Sequence, residues 1–159
     1  MNFADLEASL DPVPLFPVEA PGKPGPDPAM WPELARQKAF VGFMRKTQPH
    51  IEVHAIPNAG KRGFKAQAQA KAEGLKSGVL DLFIGWDIGL ALPTAPVTCA
   101  WIDFKGFDKN GRPGRLSANQ IEWANAMHHK GFPVACFFTV KAALDWLASL
   151  GAPIRGRAQ

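Results

Sequence analysis

The chain has little of what marks disulfide-bonded or membrane-spanning proteins. Its 159 residues include two cysteines, both in apolar segments. This favours reduced core residues over a disulfide or metal role. No apolar run approaches the length that spans a bilayer, and the acidic start lacks the basic region and apolar core of a signal peptide. We therefore expect one cytoplasmic domain with an ordinary core, since 47% of the residues are hydrophobic.

Acidic residues are scarce in most of the chain. Residues 1–33 hold one lysine and six acids, a net charge of −5, whereas residues 34–159 hold 17 Lys and Arg against eight acids, a net charge of +9. A basic body indicates an anionic partner, with nucleic acid as the first candidate. The alternative is a basic surface that serves solubility alone.

The acidic part is also rich in proline, with eight prolines between residues 11 and 32. Proline blocks regular structure, so this part is predicted to be an arm, disordered or laid over the body. Leu15 and Phe16 are among its candidate anchors, on the same chain or on a neighbouring subunit. We expect a Pro-rich acidic arm at 1–30, a body at 31–151 and a loose basic tail at 152–159.

The pattern of the body predicts an α/β fold, with a small four-stranded mixed sheet flanked by helices. Its first helix runs from about Pro32 to Thr47, with one apolar face formed by Leu34, Ala35, Phe40, Val41, Phe43 and Met44. The further predicted elements are strands at 51–56, 78–84, 98–105 and 132–138, and helices at about 61–73, 117–130 and after Thr139.

Three charged residues stand in apolar segments that are predicted to be strands. Asp81 and Asp103 each lie among apolar neighbours, and Lys105 follows two residues after Asp103. Side chains alternate along a strand, so Asp103 and Lys105 share a face. Burying unpaired charge is costly, and a salt bridge explains Asp103 or Lys105 but not the whole set. The pattern predicts a metal-dependent phosphodiesterase site near one end of the sheet.

Two predicted helices begin with polar residues at informative spacings. Glu33 and Gln37 lie on the same side of the first helix, although the pattern alone favours Glu33 as a complement to the positive helix start. Ser117 and Gln120 have the spacing of a capping box. His128 and His129 are adjacent on a helix and point about 100° apart, so they do not suit one metal ion.

These segments resemble the PD-(D/E)XK nuclease superfamily, and more narrowly its VRR-NUC branch, the virus-type replication-repair nucleases. The resemblance covers residues 31–150 and departs from the family pattern at Leu80, where proline is common, and at Asp103, where the branch commonly has glutamate. The matching segments are 78–82, 103–105 and 116–120, the Glu33 and Gln37 pair, and Ile56-Pro57-Asn58 followed by Lys61-Arg62.

The resemblance implies a restriction-endonuclease-like core and a Mg²⁺ or Mn²⁺ cofactor. Lys105 would orient or activate the attacking water, and Gln120 would support the site. The implied metal ligands are Asp81, Asp103, the backbone carbonyl of Phe104 and, directly or through water, Glu33.

We therefore expect a metal-dependent DNA endonuclease that is structure-selective, of the Holliday-junction-resolvase or flap type. It would act as a homodimer in replication, repair or recombination, in a bacterial or phage-infected cell. The alternative is a non-cleaving nucleic-acid-binding protein on the same fold. Expected contacts to branched or flapped DNA are Asn58, Lys61, Arg62, Lys65, Lys109, Arg112, Arg115 and Ser117, unless these residues form an ordinary solvated surface.

Overall fold

The computed structural model describes residues 11–57, 63–88 and 97–156. The predicted α/β architecture is confirmed: a four-stranded mixed sheet is flanked by helices. No helix in the described ranges is long and apolar enough to cross a membrane. After a short 3-10 helix at Pro28–Met30, the elements are α1 (Glu33–Thr47), β1 (Glu52–Ala55), α2 (Phe64–Ala72), β2 (Leu82–Gly85), β3 (Cys99–Phe104), α3 (Ala118–His129), β4 (Val134–Phe137) and α4 (Val140–Ser149).

The sheet order is β1-β2-β3-β4, antiparallel between the first three strands and parallel between β3 and β4. Leu82 pairs with Ala55 on one side and with Ile102 on the other, and Phe104 pairs with Phe137. The ends of β1, β3 and β4 and the start of β2 therefore meet at one edge. We call this edge of the sheet the carboxyl edge.

Apolar side chains cover both faces of the sheet. On one face, α1 and α4 pack against alternate residues of β3, and Phe40 contacts Phe104 with ring centroids 5.2 Å apart. On the other face, Ala124 of α3 packs with Leu80 and Val134. Because alternation places Asp103 opposite the Phe104 face, its side chain lies on the α3 side.

The broad apolar face predicted for α1 is narrower in the structure. Phe40 and Met44, four residues apart, are fully buried, whereas Leu34 and Phe43 are exposed. A helix that crosses a sheet buries one stripe of side chains, and Leu34 and Phe43 fall outside that stripe.

Residues 11–30, the described part of the arm, lie over the body, the second of the two arrangements considered for the arm. Phe16 is buried, whereas Leu15 is exposed and does not anchor the arm. Val18 forms a parallel bridge with Cys136 of β4, and the backbone N–H of Glu19 donates to the Cys136 carbonyl at 2.9 Å. The arm therefore covers the outer edge of β4.

The tail also packs more closely than predicted. Ala152 is buried. The Gln48 side chain, itself buried, accepts from the backbone N–H of Arg155 at 2.8 Å and donates to the Arg155 carbonyl at 2.8 Å. One amide side chain thus holds the described part of the tail against the end of α1.

Asp81 does not lie inside a strand, which corrects the prediction of a strand at 78–84. β2 begins at Leu82, and Gly78 has a φ of +82° that strand residues do not adopt. A Cβ on Gly78 would stand 2.1 Å from the carbonyl oxygen of Asn119. The close approach to α3 turns the chain here, so Asp81 stands directly before β2 at the carboxyl edge.

Candidate functional site

Three carboxylates from separate parts of the chain meet at the carboxyl edge. Glu33 is the first residue of α1, Asp81 precedes β2, and Asp103 lies in β3. Each offers an oxygen, and these three oxygens lie within 4.8 Å of one another. We call these three residues the acidic cluster. Like charges at this separation repel unless a cation is present.

Asp103 is the buried member of the acidic cluster, with no exposed surface. Its Oδ2 accepts from Lys105 Nζ at 2.8 Å and from Gln120 Nε2 at 3.3 Å. Its Oδ1 is also buried and has no hydrogen-bond partner among the described residues. A buried carboxylate oxygen without a partner is costly, so this atom calls for a further ligand.

The pKa of Asp103 is raised to about 7, chiefly by burial, with Asp81 and Glu33 adding to the increase and the nearby Lys105 opposing it. Burial lowers the pKa of Lys105, but Asp103 and Glu33 together outweigh it and the net shift is upward. Lys105 is therefore charged at neutral pH. When its three carboxyl groups are ionised, the acidic cluster together with the Lys105 ammonium group carries a net negative charge. A bound cation would offset this charge.

Lys105 connects the strand to the first helix. Its Nζ lies 3.3 Å from a Glu33 carboxylate oxygen as well as 2.8 Å from Asp103. The structure thus brings Asp103 and Lys105 to one face, as strand alternation predicts. It also brings Glu33, 72 residues earlier in the chain, to the same point while Glu33 occupies the first turn of α1.

Gln120 has two roles at the start of α3. Its backbone N–H donates to Ser117 Oγ at 3.2 Å, and its Oε1 accepts from the Ser117 N–H at 3.0 Å. This completes the predicted capping box. The remaining amide group of Gln120 donates to Asp103, so the helix cap holds the carboxylate in place.

Gly106 lets the start of α1 reach the end of β3. A Cβ at this position would stand 2.2 Å from the Trp31 carbonyl oxygen and 2.4 Å from the Glu33 nitrogen. The next N–H, of Phe107, donates to the Trp31 carbonyl at 2.7 Å. We did not identify Gly106 from the sequence, although a glycine directly after Lys105 is a signal for a close backbone approach.

The role of Arg36 was not predicted either, because no sequence pattern around it indicates its contacts. Its guanidinium lies 5.0 Å from the Phe107 ring centroid, its Nε donates to the Trp31 carbonyl at 3.2 Å, and it donates to the Phe138 carbonyl. Burial lowers its pKa, and Glu19 raises it. Arg36 thus joins α1, the end of β4 and the segment after β3.

The basic segment 106–115 is closed by hydrogen bonds. The Gly114 N–H donates to the Gly106 carbonyl at 2.7 Å, and the Asp108 carboxylate accepts from the N–H groups of Asn110 and Arg112 at 2.8 and 2.9 Å. The side chains of Lys109, Arg112 and Arg115 are exposed on it. Arg112 and Arg115 line grooves that also include Glu33 and Lys105, respectively.

The structure describes only some of the other residues that were predicted to contact DNA or metal. Lys65 is exposed in the first turn of α2, and Ser117 is exposed although its hydroxyl accepts the capping bond. The predicted role of the Phe104 carbonyl as a metal ligand stays a prediction. Asn58, Lys61 and Arg62 lie outside the described residues.

Three surface grooves reach the acidic cluster and Lys105. One, of about 290 Å³, is lined by Glu33, Asp81 and Gln37 among others. A second, of about 420 Å³, runs from Glu33 along the 106–114 segment. The largest, of about 600 Å³, lies between the arm, Lys105 and Arg115. Open grooves in several directions suit an extended polymer better than a small enclosed ligand.

Comparisons with known proteins assign no family. No protein-family model matches the chain, and no characterised protein or solved structure matches it. The functional interpretation is therefore carried by the geometry of the site.

Proposed function

We propose that the protein is a nuclease that depends on a divalent metal ion and has a restriction-endonuclease-like core, similar to the VRR-NUC branch. One observation carries the proposal. Asp103 is fully buried, and its Oδ1 has no hydrogen-bond partner among the described residues, although Glu33 and Asp81 place further carboxylate oxygens within 4.8 Å. A buried acceptor without a partner among the described residues, next to two further carboxylates, supports a cation site.

The residues present fit Mg²⁺ or Mn²⁺. Both ions prefer hard carboxylate and carbonyl oxygens. Mg²⁺ binds its oxygen ligands at about 2.0–2.1 Å, so three oxygens within 4.8 Å of one another lie close enough to share one ion. Asp81 and Asp103 would be its ligands, with the Phe104 carbonyl beside them and Glu33 bound directly or through water.

The side chains around the acidic cluster support phosphodiester hydrolysis. The bound ion would polarise the scissile phosphate and lower the pKa of its water. Lys105, held 2.8 Å from Asp103, would orient that water and offset negative charge in the transition state. Gln120 keeps the Asp103 carboxylate from rotating, and Glu33 keeps the Lys105 ammonium at the site.

The proposed substrate is DNA, branched or flapped. The net charge of +9 on residues 34–159 and the exposed Lys65, Lys109, Arg112 and Arg115 support an electrostatic contact with phosphates. The open grooves support a polymer. A homodimer and a cytoplasmic location in a bacterial or phage-infected cell complete the proposal.

A cleavage panel tests this function. The full chain is incubated with junction, flap, single-stranded and duplex DNA in Mg²⁺, Mn²⁺ or chelator. We expect cleavage that needs metal and prefers a branched substrate. Asp103→Asn and Lys105→Ala should lower the rate at least about 100-fold because each removes a group that acts on the transition state. The matched control is Glu122→Gln, an exposed acid on α3, which should cut normally.

The basic surface alone favours a second candidate, a nucleic-acid-binding protein that does not cleave. Salt-sensitive binding without metal-dependent cutting of any DNA would support this candidate against the nuclease. Cleavage that persists in chelator, or in both site variants, would contradict the proposed metal mechanism.

A further inference from the structure

Helix α2 presents Phe64, the most exposed large hydrophobic side chain of the described residues, with 94% of its surface accessible. The helix has nine residues, and Ala70 is its buried residue. A phenyl group that contacts so little of the protein contributes almost nothing to the core. The fold therefore does not account for an aromatic residue at this position.

The charges around Phe64 indicate the kind of ligand it meets. Lys65 and Lys71 lie on the same helix, and Lys76 follows it. The nearby acid Glu73 accepts from the Gln69 side chain at 2.9 Å. An apolar protein partner would match the phenyl ring but not the lysines. A nucleic-acid strand matches both, because it offers flat bases for stacking and phosphates for cations.

Both ends of α2 connect to the carboxyl edge. Before the helix, the Ile56 N–H donates to the Asp81 carbonyl at 2.7 Å. After it, Ser77 Oγ accepts from the Asn119 side chain at 2.9 Å, one residue before Gln120. Eight residues separate Ile56 from Phe64, a reach of at most about 29 Å. A DNA strand bound at the acidic cluster can extend over such a distance to reach the ring.

We propose that Phe64 stacks on an unpaired base of the bound DNA and makes α2 the element that selects single-stranded or branched DNA over continuous duplex. In a duplex each base is already stacked between its neighbours, so the phenyl ring finds no free face. In a flap, fork or junction an unpaired base offers one. This inference rests on the proposed nucleic-acid function and adds the residue that recognises the substrate.

Equilibrium binding in chelator tests the inference without cleavage. The full chain is titrated with single-stranded, forked and blunt duplex DNA, with 2-aminopurine in the unpaired segment as a stacking reporter. Phe64→Ala should weaken binding to single-stranded and forked DNA by about tenfold and reduce the 2-aminopurine signal change, with less than about twofold effect on duplex. Phe64→Trp should retain the selectivity and the signal.

Ile88→Ala is the matched control. Ile88 is 65% exposed and follows the end of β2, at the opposite edge of the sheet. Unchanged selectivity is expected, and thermal melting should show that each variant folds as the wild-type protein does. An equal loss on duplex and single-stranded DNA, no loss for Phe64→Ala, or the same loss for Ile88→Ala would overturn the inference.

The two proposals fail in different ways. A separate assay with Mg²⁺ or Mn²⁺ measures cleavage. Selective binding through Phe64 without any cleavage would overturn the nuclease and support the stacking role. Metal-dependent cleavage with no effect of Phe64→Ala on binding would support the nuclease and overturn the stacking role. A wild-type protein that binds no DNA would overturn both.

Discussion

Asp103 is fully buried, one of its oxygens has no hydrogen-bond partner in the described part of the chain, and Lys105 is its cationic neighbour. In the folded protein its pKa is about 7, against about 4 for an unperturbed aspartate. Between these values the folded state binds more protons at this site than the unfolded state does. The stability that this protonation provides is fully present below about pH 4 and is lost as the pH rises through about 7.

We therefore expect the metal-free protein to have a lower free energy of unfolding at about pH 8 than at about pH 5.5, and Mg²⁺ or Mn²⁺ to restore it more strongly at the higher pH. Urea unfolding at both pH values, in chelator and in metal, measures this. Asp103→Asn, which removes the titrating carboxyl group, is the reference. If Asp103→Asn shows the same pH dependence and the same metal response as the wild-type protein, Asp103 is not the group responsible for them.

Gly106 and Gly42 provide a matched pair of residue changes. Gly106→Ala would place a methyl group 2.2 Å from the Trp31 carbonyl oxygen, which forces the start of α1 and Glu33 away from β3. We expect a loss of at least about 2 kcal/mol of stability and weaker Mn²⁺ binding by calorimetry. Gly42 lies in α1 with open space at its Cβ position. Gly42→Ala should be neutral or stabilising by up to about 1 kcal/mol. Equal changes in stability for Gly106→Ala and Gly42→Ala would show that close packing at Gly106 is not required.

At the scale of elements, the arm acts as part of the fold. Glu19 places one carboxylate oxygen on the N–H groups of Phe138 and Thr139, at 2.6 and 2.9 Å, and the other on the Thr139 hydroxyl at 2.8 Å. Thr139 in turn caps α4. The arm thus covers the outer edge of β4, which would otherwise expose unpaired backbone groups, and satisfies the turn before α4.

Glu19→Ala should lower the free energy of unfolding by about 1–2 kcal/mol, because it removes these bonds from partly buried donors. It should also speed proteolysis of the arm before the body is cut. Urea titration and timed proteolysis with mass spectrometry measure the two effects. Glu122→Ala, at an exposed position of α3, is the control. Equal stability of the two variants would show that the arm is not held through Glu19.

Local chemistry explains which elements could be predicted. The capping box before α3 and the Thr139 cap of α4 involve residues three positions apart, so the sequence reveals them. The start of β2 could not be predicted in the same way. It depends on Gly78 meeting the backbone of Asn119, about 40 residues later in the chain, and no local pattern encodes that contact.

At the scale of the whole molecule, exposed basic side chains lie at different distances from the acidic cluster. Lys109, Arg112 and Arg115 are exposed on the 106–115 segment, which directly follows Lys105. Arg45 and Lys46 are also exposed, but they lie in the last turn of α1, about 20 Å along the helix from Glu33. Both sets of side chains are positively charged, but they differ in their distance from the acidic cluster.

Replacing Lys109, Arg112 and Arg115 by alanine should reduce the slope of log affinity against log salt for duplex DNA by up to about three, because each phosphate contact adds about 0.9. The Arg45→Ala, Lys46→Ala double variant should change the slope by less than about one. Binding in chelator over a range of salt concentrations measures both slopes. An equal change in the two variants would mean that DNA does not follow the 106–115 segment.

The sequence alone determined the α/β class, the helix caps and the shared face of Asp103 and Lys105, because each follows from periodicity or bonding within a few residues. Only the tertiary structure decided that Glu33, Asp81 and Gln120 converge on Asp103. It also decided that Asp103 is fully buried, that the arm covers β4 and that Phe64 remains exposed. Convergence and burial depend on contacts between residues far apart in the chain, such as the 72 residues between Glu33 and Lys105, and these contacts form only when the helices pack on the sheet.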